Sequence, residues 1–225
     1  MDRLHRTRML VGDGAIEKLA RAHVMIVGCG AVGSFATEAL ARTGIGHITL
    51  IDSDVIEESN INRQLFALDS TVGLPKVTVA AARIHDINPT IRVDGLQIFF
   101  DANTHLDCTP DFVIDAIDTV ESKIALYKWC SQRNIPFISS MGAARKTDAS
   151  QIKIAPISQT SVCPLAARIR RAVRDNNIPE FDVVYSDECP DKNTADNGRT
   201  FGSVITITGI FGLLAANYCI QKLIK

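Results

Sequence analysis

The sequence predicts an α/β fold with a Rossmann-like, doubly wound and mostly parallel sheet. One observation is a continuous unit of strand, glycine loop, helix and strand over residues 23–51. Another is that apolar strand patterns go on alternating with helix patterns as far as residue 140, five strands with four helices, which is typical of parallel sheets. The pattern then changes, and residues 151–156 and 182–185 predict antiparallel strands added at the C-terminal edge of the sheet.

The first strand pattern, residues 23–27, is mostly apolar, which indicates a strand buried on both faces. Gly28, Gly30 and Gly33 follow it in the spacing G-x-G-x-x-G, and a helix pattern begins at Val32. In such loops the first glycine permits a tight turn, the second lets a phosphate approach the backbone, and the third lets helix and strand pack closely. The helix N-terminus would offer free N–H groups to an anion, so the motif predicts a nucleotide site.

The second strand of the unit ends at Asp52, about 20 residues beyond the last glycine, where dinucleotide-binding folds hold a ribose hydroxyl. A plain strand–helix–strand turn that is merely rich in glycine is the alternative. The complete order of strand, glycine loop, helix, strand and acid favours the nucleotide.

Composition limits the classes of protein. The chain has 225 residues, a formal net charge of −1 and 46% hydrophobic residues, and we expect a single domain over residues 1–225. The balanced charge means that any nucleic-acid-binding surface must be local. Six scattered cysteines without a C-x-x-C pair disfavour a structural zinc site. Without a secretory signal they fit a reducing, cytoplasmic environment.

Three segments lie outside the alternation of strands and helices. Residues 1–12 carry three arginines and are expected to form an N-terminal arm. Residues 187–202 are rich in turn-forming residues and predict a loop. Residues 203–224 predict a C-terminal helix, whose uncharged part is long enough to cross a bilayer. Its polar residues and glycines favour burial against the sheet or a partner subunit, with no membrane involved.

Polar side chains follow the ends of the predicted parallel strands, where open α/β sheets bind ligands. Each one alone also fits an ordinary role, such as a helix cap or a solvent-exposed charge. Together they supply cations for phosphate oxygens and an acid for Mg²⁺, which indicates a triphosphate rather than NAD. The set comprises Asp52, Asp54, Asn60, Arg63, Gln64, Lys76 and Asp118.

Four motifs resemble those of the ubiquitin-activating-enzyme-like adenylyltransferases, the superfamily of ThiF, MoeB and HesA. They are GCGAVGS, DSDVIEESNINRQ, VGLPK and IDAIDT. The resemblance implies an enzyme that uses ATP and Mg²⁺ to attach AMP to a carboxylate. It implies that Asp52 holds the ribose and that Asp118 holds the metal at the reacting centre. The phosphates would be bound by Asn60, Arg63 and Lys76.

The same resemblance implies a homodimer, in which an arginine from the N-terminal arm of the second subunit completes each site. Arg6, within HRTRMLVG, is the matching position. The resemblance therefore assigns catalysis to Arg6, Arg63, Lys76 and Asp118.

Further motifs resemble the branch of the superfamily that dehydrates threonylcarbamoyladenosine in tRNA. They are EALARTGIGHITLID, ISSMGAARKTDASQIKIAPIS, CPLAARIRR and YSDECP. This resemblance implies that the carboxylate of the modified nucleoside is adenylated and that its own ureido group then closes a ring. No enzyme thiol is needed, because the nucleophile is intramolecular. The implied partner is tRNA that carries this modification, and docking of a sulfur-transfer protein stays open.

Two other functions stay open. One is adenylation of the C-terminus of a ubiquitin-like sulfur-carrier protein, with a thioester at Cys163 or Cys189; the missing zinc cysteines disfavour it. The other is an NAD(P)-binding oxidoreductase or redox module, which the glycine spacing and Asp52 alone would also fit.

A local basic surface is predicted on the helix pattern of residues 164–174, which carries Arg168, Arg170, Arg171 and Arg174. These arginines would contact tRNA phosphates, or they would form an ordinary solvated face.

Overall fold

The computed structural model describes residues 2–189 and 201–225, and these contain a seven-stranded sheet. The strands are β1 (His23–Val27), β2 (His47–Ile51), β3 (Arg92–Leu96), β4 (Phe112–Asp115), β5 (Phe137–Ser140), β6 (Ile152–Pro156) and β7 (Asp182–Ser186). Their order across the sheet is β3-β2-β1-β4-β5-β7-β6. All neighbours are parallel except β6 and β7, so the predicted fold class is confirmed. Since β7 runs parallel to β5, only β6 is antiparallel to its neighbour.

The described residues form seven α-helices. These are α1 (His5–Val11), α2 (Asp13–Arg21), α3 (Gly33–Thr43), α4 (Lys76–Ile87), α5 (Val120–Arg133), α6 (Pro164–Asp175) and α7 (Ile205–Ile224). The predicted C-terminal helix is therefore present. The strict alternation is wrong at one connection, because residues 97–111, between β3 and β4, contain no helix. Most of the predicted loop over residues 187–202 lies outside the described residues.

The sheet is covered on both faces because its central strands are apolar throughout. In β1, Val24 and Ile26 belong to the core beneath α3, α4 and α7, whereas Met25 and Val27 belong to the core beneath α5. Successive strand residues point to opposite faces, so one continuous apolar run supplies both cores. The prediction of a strand buried on both faces is confirmed.

Helix α7 is a core helix. It is the one helix of the described chain that is long and apolar enough to cross a membrane by length and composition. Ile207, Phe211, Ala215 and Cys219 are four residues apart and fully buried, so one side of the helix lies in the core beside α3. Gly212 lets the two helices approach closely, since a Cβ there would lie 2.3 Å from the carbonyl oxygen of Val32.

The N-terminal segment is docked on the core and is not a free arm. The guanidinium of Arg3 donates to the carbonyl of Ile87 (2.6 Å), at the end of α4. The side chain of Leu4 packs over Gly44, at the end of α3. Helices that connect parallel strands run opposite to them, so both helix ends lie at the N-terminal edge of the sheet. Helix α1, with Arg6, therefore lies at the edge opposite the carboxyl ends of the strands.

Replacing Gly212 with alanine should lower the free energy of unfolding by about 1–3 kcal/mol, because the new methyl group would overlap the α3 backbone. Urea denaturation would measure this effect. Gly14→Ala in α2 is the control, since Gly14 is exposed and a Cβ there has nothing within 4 Å. That change should raise stability by up to about 1 kcal/mol. A similar gain from both variants would refute tight packing at Gly212.

Candidate functional site

A cavity of about 310 Å³ opens at the carboxyl ends of the parallel strands. Its walls come from the glycine loop, the segment after β2, residues 98–100, the turn after β4 and the loop after β5. The structure brings together here Gly28, Gly30, Asp52, Asp54, Arg63, Gln64, Lys76 and Asp118. Gly33, Asn60 and Arg6 are not in its lining.

The three glycines have different geometric roles. Gly28 has a φ of +96°, and a Cβ there would lie 2.6 Å from the carbonyl oxygen of Ala116. A Cβ at Gly33 would lie 1.7 Å from the carbonyl oxygen of Gly28, so both positions must lack a side chain for the loop to close. Gly30 has no such neighbour, the nearest atom being Nε2 of Gln64 at 3.7 Å. The space over Gly30 is therefore open to a ligand.

Lys76 lies between two carboxylates at the rim of the cavity. Its ammonium donates to Asp54 (2.7 Å) and lies 4.0 Å from Asp52, and its side chain is only 7% exposed. The two oxygens of Asp52 accept from the backbone N–H groups of Cys29 (2.6 Å) and Asp54 (2.9 Å). Burial raises the pKa of Asp52, while the charge of Lys76 and these hydrogen bonds oppose the rise. Asp52 is thus held in place by backbone groups that follow β1 and β2.

The segment after β2 presents Arg63 and Gln64 to the cavity. One guanidinium nitrogen of Arg63 donates to the carbonyl of Ser59 (2.8 Å) and to the side-chain oxygen of Asn62 (2.9 Å). Among the described residues its other N–H groups have no acceptor and are available to a ligand. The side chain of Asn60 is buried and accepts from the N–H of Glu57 (3.2 Å), which closes the turn before Arg63. Asn60 therefore shapes the segment, and the structure does not bring its amide into the cavity lining.

Asp118 is exposed, follows β4 closely and accepts from the hydroxyl of Thr119 (3.2 Å). Thr119, and not Asp118, occupies the N-cap position of α5, so Asp118 is not a helix cap. Among the described residues, no group of three or more His, Cys, Asp or Glu side chains could hold a metal alone. A single carboxylate fits Mg²⁺ that is bound largely through phosphate oxygens and water.

A buried ion pair beneath the cavity was missed in the sequence. Asp115, the last residue of β4, and Lys123 of α5 are both fully buried and 2.8 Å apart. The same carboxylate oxygen accepts from the hydroxyls of Tyr127 (2.9 Å) and Ser139 (2.6 Å). The available signal was an acid at the end of an apolar strand, with a lysine in the first turn of the following helix.

This network connects two walls of the cavity. The second oxygen of Asp115 accepts from the N–H of Ile117 (3.0 Å), in the turn that leads to Asp118. Lys123 also donates to the carbonyl of Ser140 (2.8 Å), where the loop after β5 begins. The turn with Asp118 and the opposite loop are therefore fixed by one set of buried charges.

The sequence also missed the apolar wall. Residues 98–100 belong to the β3–β4 connection, and all three line the cavity. The ring of Phe99 is 58% exposed. An aromatic residue left open beside polar groups is a usual feature of ligand pockets.

The predicted basic face of α6 has three arginines and not four. Arg168, Arg171 and Arg174 are exposed. Arg170 turns inward and donates to the carbonyl (2.9 Å) and hydroxyl of Thr160. These hydrogen bonds attach Arg170 to the loop before α6. Arg170 is therefore not part of the predicted basic surface.

The two thiols considered in the sequence lie in different settings. Cys163 is 3% exposed, occupies the N-cap of α6 and accepts from the N–H of Ala166 (3.5 Å). It lies behind Gly142 of the cavity wall. Cys189 is exposed and outside the cavity lining. Neither thiol is presented to the cavity.

Comparisons with known proteins agree with the motifs. A model of the ThiF family matches residues 4–225. The tRNA threonylcarbamoyladenosine dehydratase of Bacillus subtilis (strain 168) is 47% identical over 189 residues, which cover 82% of this chain and 74% of the relative. The crystal structure of the Escherichia coli tRNA N6-threonylcarbamoyladenosine dehydratase in complex with ATP superimposes with a TM-score of 0.91 at 37% identity, covering 98% of this chain and 93% of that chain. The molybdopterin-synthase adenylyltransferase of Haemophilus influenzae is 32% identical over 64% of this chain and 60% of its own.

Removing Lys123 should destabilise the fold strongly. Lys123→Met leaves the buried carboxylate of Asp115 without its ion pair, which should lower the free energy of unfolding by about 3–5 kcal/mol. Lys128→Met, an exposed position of the same helix, is the matched control and should change it by less than about 0.5 kcal/mol. Equal urea midpoints for the two variants would show that the buried pair contributes nothing specific.

Proposed function

The chain belongs to the ThiF family, and we propose that it is a tRNA threonylcarbamoyladenosine dehydratase that activates the carboxylate of the nucleoside with ATP. One observation carries this proposal. One cavity is surrounded by the open glycine loop, by Lys76 between its two acids, and by Arg63 and Asp118. They do so in a chain whose fold matches an ATP-bound relative of that activity over 98% of its length.

The proposed ATP site uses groups that the geometry leaves available. A carboxylate has about four acceptor positions, so Asp52 can accept from ribose hydroxyls beyond its two backbone N–H partners. Arg63 and Lys76 are the lysine and arginine side chains that line the cavity in the described part of the chain, and they would neutralise phosphate oxygens. The open space over Gly30 and the N–H groups at the start of α3 suit the phosphates themselves.

Asp118 would hold Mg²⁺ together with phosphate oxygens and water. The metal would offset phosphate charge near the reacting phosphorus. Asp118 suits this role because it is exposed at the cavity and, among the described residues, its carboxylate accepts a hydrogen bond only from its neighbour Thr119.

The proposed reaction has two steps. A carboxylate oxygen of the nucleoside attacks the α-phosphorus of ATP, and the bond to the β-phosphate oxygen breaks to release pyrophosphate. The ureido group of the same nucleoside then attacks the acyl carbon, and AMP leaves as the ring closes. The net change in the nucleoside is loss of one water. The protein supplies position and positive charge, chiefly from Arg63 and Lys76, and needs no thiol.

The cysteines support a route without a thioester. Cys163 is buried behind the cavity wall, and Cys189 is exposed away from its lining. All six cysteines are free, which supports a cytoplasmic location.

We further propose that the active form is a homodimer in which Arg6 acts in the partner's site. Helix α1 is docked at the ends of α3 and α4, and α3 alone is about 16 Å long, so Arg6 cannot readily reach the cavity of its own chain. Met9 and Leu10, on the same helix, are 77% and 86% exposed, and such apolar surface suits contact with another subunit. A cation delivered from a partner would stabilise charge on the α-phosphate.

The direct test is incubation with ATP, Mg²⁺ and tRNA that carries threonylcarbamoyladenosine. Mass spectrometry of the digested nucleosides should show loss of one water, with AMP formed in equal amount. AMP formation that requires the C-terminus of a carrier protein instead would support sulfur-carrier activation. Binding of a nicotinamide cofactor without ATP turnover would support an oxidoreductase.

Asp118→Ala should lower AMP formation by at least about 100-fold, since it removes the proposed metal ligand at the reacting centre. The fold should be unaffected, because the side chain is exposed and its one hydrogen bond within the described chain is to Thr119. Asp86→Ala, an exposed acid at the far end of α4, is the matched control and should keep wild-type turnover. Normal AMP formation by the Asp118 variant would remove this residue from the mechanism.

Subunit mixing tests the role of Arg6. Arg6→Ala and Asp118→Ala should each be inactive alone. After exchange of subunits, half of the dimers are hybrids, and each hybrid has one intact site, so activity should return to about a quarter of wild type. If Arg6 acts within its own chain, every site in the mixture lacks one group and no activity returns.

A further inference from the structure

We propose that the exposed side of α6 binds the tRNA backbone next to the nucleoside in the cavity. This surface, which we name the α6 arginine face, consists of Arg168, Arg171 and Arg174. The inference rests on the proposed function, since it identifies where the same substrate lies outside the cavity.

The position of α6 supports this assignment. Leu165, in the first turn of the helix, lines the cavity and lies beside Gly142 of its wall. The helix begins there and extends over 12 residues, about 18 Å. The three arginines follow at intervals of about 4.5 Å along its axis. A strand with one nucleoside in the cavity would therefore pass these arginines with its flanking phosphates.

The arginines of the face are not needed to hold the helix. Ala166, Ile169 and Val173 form the buried side of α6, in the core that includes Tyr127. In the part of the chain that the structure describes, no carboxylate forms an ion pair with Arg168 or Arg171. Within the described residues, the one acid near Arg174 is its neighbour Asp175, at 3.6 Å, and the side chain of Arg174 is 77% exposed. The guanidinium groups are therefore available to an external ligand.

The charge of the face is local and unbalanced. Residues 164–174 contain four arginines and no acid, in a chain of formal net charge −1. Since Arg170 is engaged with Thr160, three like charges remain on one side of a short helix. Their mutual repulsion would be relieved by phosphates, which arginine binds through paired N–H groups. The expected recognition is of the backbone, so it should be sensitive to salt and insensitive to base sequence.

The double variant Arg168→Glu, Arg171→Glu tests the face. Binding of tRNA would be measured without ATP between about 50 and 200 mM salt, where contacts to phosphates weaken steeply. The double variant should bind at least about tenfold more weakly at the lowest salt. The slope of log K against log salt should become shallower by about 1.4, or about 0.7 for each lost phosphate contact. In turnover, KM for tRNA should rise while kcat at saturating tRNA stays near wild type.

Two further variants complete the test. Arg21→Glu, Arg92→Glu changes the net charge equally at exposed arginines of α2 and β3, outside α6, and it should leave the tRNA slope unchanged. Arg168→Lys, Arg171→Lys keeps the charge and should restore most of the slope. Thermal melting of the variants at Arg168 and Arg171 should match wild type, because both side chains are exposed and neither forms an ion pair among the described residues.

The outcomes separate this inference from the proposed function. If wild type dehydrates the nucleoside in tRNA and the Glu variant keeps its slope and KM, the α6 arginine face is not the tRNA surface. The inference is also overturned if the α6 arginine face binds an acidic protein while tRNA binding does not depend on this face. If tRNA binding depends on the face but no nucleoside is dehydrated, the surface is supported and the proposed function is wrong.

Discussion

The site depends on one steric constraint, the closure of the glycine loop against its neighbours. Gly28 packs against the carbonyl of Ala116, and Gly33 packs against the carbonyl of Gly28, at distances that leave no room for a Cβ. These contacts bring the end of β1, the start of α3 and the turn after β4 together. The open backbone at Gly30 and the carboxylate of Asp118 consequently face the same cavity.

Two buried lysines show how the same charge can serve different purposes. Lys123 and Asp115 are fully buried beside two hydroxyl groups, so their pair is complete and stiffens the cavity from below. Lys76 is almost as buried, but one of its partners, Asp54, is 64% exposed. The pair of Lys76 and Asp54 can rearrange when an anion binds, because solvent already reaches the Asp54 side chain. A buried cation with an open partner at a cavity is the arrangement that a phosphate ligand would use.

Features that depend on local sequence were predictable, whereas those that depend on tertiary contacts were not. The glycine loop, Asp52 and the apolar helix α7 follow from spacing and periodicity within short windows. Arg170 was misjudged because a pattern of polar side chains does not reveal whether the partner is a ligand or a nearby backbone group, here the carbonyl of Thr160. The Asp115 network was missed because Ser139 lies 24 residues away and becomes a neighbour only when β5 pairs with β4.

The two edges of the sheet impose different requirements on a complete site. The carboxyl edge carries the cavity, while the N-terminal edge carries α1, which Arg3 and Leu4 attach to the ends of α4 and α3. Because α1 is anchored at both points, moving Arg6 to its own cavity would require breaking these contacts and crossing the length of a helix. A two-fold pairing would remove that requirement if it brought α1 of each subunit to the carboxyl edge of the other, and neither subunit would have to unfold. The docking of α1 keeps Arg6 away from the cavity of its own chain. A site completed by Arg6 of the partner therefore needs a smaller rearrangement than one completed by Arg6 of the same chain.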